Sequence, residues 1–167
     1  MHHQKKHQFL GLILLSLTFV SQAQTNSQAE VAQRGAQVMP FALAKTMHLF
    51  SPTPDGGIQR VIARNPQDHQ QITLIRQHLQ EMAQKFKSGD YSGPAFIHGE
   101  HMPGLQILQK AKPDDLQIRY AEQADGASLV FQSRQPEIIN AVHDWFNAQL
   151  QDHGHDAMHS LHHGDGQ

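Results

Sequence analysis

The chain has 167 residues, with 13 Lys and Arg against 15 Asp and Glu, 14 His and no Cys. A net charge of −2 lacks the basic surplus that nucleic acid or an anionic membrane surface demands. The lack of Cys excludes a disulfide framework, a thiolate metal site and a Cys nucleophile, so any metal must be held by imidazole, thioether, carboxylate or backbone oxygen.

Residues 1–8 carry Lys5 and Lys6, 9–20 form a twelve-residue apolar run, and Ser21-Gln22-Ala23 puts small residues where signal peptidase reads. This predicts a signal peptide at 1–23, cleaved after Ala23, and a periplasmic or secreted chain. The run is shorter than the roughly 20 residues of a membrane-spanning helix, so no membrane association is expected after cleavage. The mature chain keeps 11 basic and 15 acidic residues, a net of −4, and 11 of the 14 His. Its 144 residues fit one domain.

Residues 24–38 are Gln-rich with little apolar periodicity and read as a flexible leader, so the domain is expected over 39–153. TMHLF (46–50) and IQRVIA (58–63), separated by SPTPDGG, read as a hairpin. Residues 66–87 predict a helix: Ile72, Ile75, Leu79, Met82 and Phe86 recur at steps of three and four, and Asn65 with Pro66 suits its start. A loop ends it at 88–94. Residues 95–111 hold a loop and a short helix after Pro103. LQIRYAE (116–122) and ASLVFQS (127–133) predict a second hairpin, and 136–154 a second long helix with Ile139, Val142, Trp145, Phe146 and Leu150 inward. A shift of 70 lays Phe50 on Tyr120, Asp55 on Asp125, Gly56 on Gly126, Arg64 on Arg134 and Pro66 on Pro136 without a gap. The expected fold is α+β: two ββα units forming an antiparallel sheet covered on one face by two helices.

The histidines carry the chemistry. The C-terminal stretch supplies His153, His155, Met158, His159, His162 and His163, with Asp152, Asp156 and Asp165 as oxygen donors. Residues 154–167 show no regular pattern and read as a flexible, low-selectivity chelating tail; a solvated end that binds metal incidentally is the plainer reading. In HGEHMPG (98–104), His98 and His101 are three apart with Met102 next. That spacing lets both imidazoles face one ion, although it equally suits a polar turn. His48 shares a strand face with Phe50, and its counterpart at the 70-residue shift is Ile118, so it is either a satisfied core histidine or a ligand. His143 lies at the rim of the second helix's buried stripe, with His78 a weaker case on the first. Met and His are adjacent at Met47–His48, His101–Met102 and Met158–His159, a mixture of soft and borderline donors that favours copper, with zinc second. No G-x-S-x-G elbow, P-loop, dinucleotide fingerprint or H-E-x-x-H occurs.

IHGEHMPGL (97–105), the Asp-Gly-Gly turn with Gln59, and AVHDWFNAQLQDHG (141–154) resemble a family of small exported bacterial proteins with the patterns H-G-x-x-M-P-G-L and H-x-W-F-x-A-Q-L-x-D-H-G. The resemblance covers about residues 45–155. It implies weight on His48, His98, Met102, His143 and His153, while His101 falls in a variable slot. Members sometimes carry the label aspartate carbamoyltransferase, but nothing here matches that enzyme's Ser-Thr-Arg-Thr-Arg grip on carbamoyl phosphate. The expected function is a periplasmic metal-binding protein for copper, with zinc second, in sequestration, delivery or tolerance. Its partners would be the ion and a periplasmic donor or acceptor protein. The alternatives are a small-molecule or protein binding module with the tail as accessory, and a metal-assisted enzyme.

Overall fold

A computed structural model describes residues 27–154 and 157–159. The expected signal peptide at 1–23, the start of the leader, and His155, His162 and His163 lie outside those residues.

The first described element is a helix, α1, over 27–38, where the leader was expected to lack structure. One apolar side chain anchors it: Val31 is buried. Arg34 donates from Nε to the Ile97 carbonyl at 2.7 Å, and Gln28 from Nε2 to the Gln151 carbonyl at 2.9 Å. Sequence periodicity misses such a helix because it docks through one apolar residue and two polar side chains rather than a stripe.

β1 (Thr46–Thr53) and β2 (Gly56–Ala63) form the first hairpin, and β3 (Gln117–Gln123) and β4 (Gly126–Gln132) the second. Each closes on a two-residue turn, Pro54-Asp55 in one and Ala124-Asp125 in the other, as the Asp-Gly signals suggest. The hairpins join antiparallel through β2 and β4, with Gln59 opposite Leu129 at the midpoint. β5 (Ala157–His159) pairs parallel with His48–Phe50, giving a five-stranded mixed sheet in the order β3-β4-β2-β1-β5. The tail was expected to be irregular here. A bare β1 edge would present a row of unpaired N–H and C=O groups, and three residues of tail cover part of it.

Each hairpin is followed by a long helix, α2 (His69–Lys87) and α5 (Pro136–His153). α2 begins three residues later than Asn65-Pro66 suggests. Residues 65–68 form a turn, and Asp68 is the cap, accepting from the Gln71 N–H at 3.2 Å. α2 lies over β3 and β4, and α5 over β1 and β2. Both cover the same face, where Phe86, Phe131, Trp145 and Phe146 meet edge to face or tilted. The fold is therefore α+β, a mostly antiparallel sheet beneath a helical layer.

Between the halves run α3 (Ser92–His98) and α4 (Leu105–Lys110). The Met102-Pro103-Gly104 segment joining them is structural. Met102 is buried, and Gly104 is left-handed (φ 76°) with its Cα so close to the Ala141 carbonyl that any Cβ would collide with it. This contact fixes where α4 begins against α5.

Candidate functional site

Three histidines far apart in sequence meet at the C-terminal end of α5. His48 comes from the covered face of β1, His98 from the last turn of α3, and His153 from the last residue of α5. The His48 and His153 rings lie parallel within 5°, centroids 5.1 Å apart, and His98 stands edge-on to His153 at 4.9 Å. His48 and His153 are buried as residues, and the His98 side chain is 1% exposed.

The surroundings set the charge of this group. Burial holds His48 well below its ordinary pKa of 6.5, and repulsion from His153, His78 and His98 pushes the same way. His153 falls to about 4, by burial first and by His98 second, with Asp152 opposing. Both imidazoles are neutral at pH 7, the form that ligates metals and accepts hydrogen bonds. Asp152 accepts from His98 Nδ1 at 2.8 Å, which leaves Nε2 as the free ring atom. A carboxylate behind an imidazole is the arrangement that orients histidine ligands at metal sites. Among the described residues, however, no three His, Asp or Glu are placed to hold an ion as they stand. The rings touch one another instead of surrounding a point.

The other expected ligands lie elsewhere. His143 does not join the group: its Nε2–H reaches the Gly56 carbonyl at 2.8 Å and the Thr53 carbonyl at 3.0 Å, clasping α5 to the β1–β2 turn. A helix carries its residue 143 about 15 Å from residue 153, so the two could not share an ion. His101 is exposed while the His98 ring is buried, because the chain turns at Gly99 (φ 94°) between them, so the pair does not face one point. Met102 packs in the core. Met158 is exposed on β5, whose His159 backbone pairs with Phe50. The Met–His adjacencies do not act as units. Met47 and His48 point to opposite faces of β1, and His101 and Met102 divide between solvent and core.

Two inward glutamines lie in segments that carry the resemblance but were not read as site residues. Gln59 occupies the covered-face row between Phe50 and Leu129, and Gln149 sits between Trp145 and His153 at helical steps of four. The signal was there in each case: a polar residue at a position whose periodicity calls for an apolar one. No protein-family model matches the chain, and neither a curated protein nor a solved structure resembles it at a significant level.

Proposed function

We propose that this protein is an exported metal-binding protein whose specific site is the group formed by His48, His98 and His153. One observation supports the reading: three imidazoles from β1, α3 and α5 converge in the interior, two of them held neutral, with a carboxylate behind the third. Burying imidazole rings against one another costs desolvation that an apolar residue would not incur. Binding requires the parallel His48–His153 pair to open. His153 is placed for that, at the end of α5 where the chain leaves the helix. The His-rich tail starts one residue later and returns along β1 beside His48. It would gather ions loosely and hand them to the buried group.

With its thioethers elsewhere, the site is an imidazole set, and such sets suit copper(II) and zinc(II). Copper keeps first place by the affinity order of divalent ions. The test is calorimetric titration of full-length protein in which His155, His159, His162 and His163 are all Ala. One tight equivalent of Cu(II) or Zn(II) is expected to remain. It should vanish on further His48→Ala, His98→Ala or His153→Ala, and survive His143→Ala. Retention through all three of the first substitutions would remove the buried group from consideration.

A further inference from the structure

Beside the histidine group, enclosed by the sheet, α2, α3 and α5, lies a cavity of about 50 Å3. Its walls are mostly aliphatic and aromatic with the rings of His48, His78 and His98 among them, and no Lys, Arg, Asp or Glu side chain lines it. Three hydrogen-bonding atoms on its lining residues are nevertheless buried and without a partner: Trp145 Nε1, Gln149 Nε2 and Gln59 Oε1. Trp145 is 1% exposed and Gln149 is 5% exposed. Each orphaned group in such a place costs about 1–3 kcal/mol, and native interiors rarely leave one without cause. Three from α5 and β2 on one small cavity describe a template: two donors from the helix side and an acceptor from the sheet.

We infer that this cavity is a binding site for a small uncharged molecule that carries a hydrogen-bond acceptor and donor on one oxygen or on one carbon, of the alcohol or amide class. The ligand oxygen would accept from the Trp145 indole N–H and the Gln149 amide, and its N–H or O–H would donate to Gln59. A charged ligand would have no counter-ion there, and burial in an apolar space would expel it. The volume is about one third of an engineered cavity that takes benzene, so the buried end of the ligand is a few heavy atoms. Access is by the side formed by the end of α1 and the start of α3. Val38 is 37% exposed there, and Gly93, also on the lining, has open space where a side chain would stand. Gly93 therefore leaves the entrance clear.

Two of the three proposed metal ligands, His48 and His98, line this cavity and His153 does not, so the experiment uses chelator-treated protein, in which failure of the metal site and failure of the cavity are read separately. Trp145 is the only tryptophan in the chain, so its indole N–H resonance and its fluorescence report on one place, where the cavity meets the aromatic core. Full-length protein is titrated with propionamide and propanol, and with propionate and propylammonium as charged controls. Ligands of four or five heavy atoms reach at best an affinity of roughly a few to tens of micromolar, so the titration extends well into the millimolar range. The uncharged pair should shift the indole signal saturably, and the charged pair should not. Gln149→Leu and, independently, Gln59→Leu should weaken binding by about tenfold or more while sparing the metal equivalent. Two substitutions from different elements guard against misfolding of one. No saturable shift with any compound would mean that the cavity holds water only and would overturn the assignment. Equal binding of the charged compounds would overturn it too.

Discussion

Two corners of this molecule are built to the same plan and filled with opposite chemistry. In one, α5 lies over β1 and β2; in the other, α2 lies over β4 and β3. A shift of 70 residues carries one hairpin register onto the other, Thr53–Gly56 onto Gln123–Gly126 and His48–Val61 onto Ile118–Phe131. The same shift lays the buried positions of α2 on those of α5: Ile72 on Val142, Ile75 on Trp145, Leu79 on Gln149 and Ala83 on His153. The α5 corner has His48, Gln59, Gln149 and His153 where the α2 corner and its strands have Ile118, Leu129, Leu79 and Ala83. All except Gln59 are buried residues, and its side-chain oxygen is buried too. The fold therefore does not need polar groups at these places, since one corner does without them. The difference marks four polar positions that packing alone does not require.

The most severe way to break the comparison is to move a histidine into the apolar corner. Ile118→His removes about 1.5–3 kcal/mol of apolar burial and leaves an imidazole with no partner, which costs about 1–3 kcal/mol more. A loss of about 3–5 kcal/mol in urea unfolding is expected, near the upper range for one substitution. A loss under about 1 kcal/mol would show the corners to be interchangeable and the polar filling of the other to mean little.

Acid should act chiefly on the α5 corner, with His78 of α2, also lowered by burial, as a further acid-sensitive group. His48 and His153 have folded-state pKa values below 6.5, and His153 is at about 4. Each binds more protons unfolded than folded between those limits, so stability is complete above pH 6.5 and is lost as the pH falls toward the folded value. The shift of His153 alone corresponds to on the order of 3 kcal/mol between pH 7 and 4. Metal-free protein should lose stability steeply over this window, and His153→Ala should flatten the slope. An unchanged slope in that variant would place the acid-sensitive groups elsewhere.

Both hairpins, both long helices and the inward position of His48 were legible in the sequence because they rest on local rules. Strand alternation, a stripe at three and four, and Asp-Gly turns need no knowledge of partners. The meeting of His48, His98 and His153 was legible only as a set of residues to watch, since 50 and 55 residues separate the successive members and nothing local brings them together. His143 shows the limit: its place on the buried stripe reads the same whether its ring serves an ion or two turn carbonyls. Asp152 was visible as an oxygen donor but not as the partner of His98, which lies 54 residues before it. α1 and β5 escaped for a physical reason. One docks chiefly through side-chain hydrogen bonds, and the other exists because β1 offers an open edge.

The smallest effect sharpens the comparison most. His48→Ile gives β1 the residue that its counterpart already has at position 118. The two sites are alike in burial, 4% and 3% exposed, so the new side chain enters a place whose backbone suits it. The swap removes a polar ring with a desolvation cost and adds apolar surface, but it also gives up stacking on His153 and contact with Phe41. A net gain of about 1 kcal/mol at pH 7 is expected for the metal-free protein. The gain should widen as the pH falls below 6.5, because a titrating group that opposed folding in acid has gone. A His48 that served packing would give the reverse: the substitution would destabilise at neutral pH through loss of its ring contacts, and metal binding would be untouched. Urea unfolding at pH 7 and pH 5, beside a metal titration of the same variant, therefore separates a histidine kept for its chemistry from one kept for its shape.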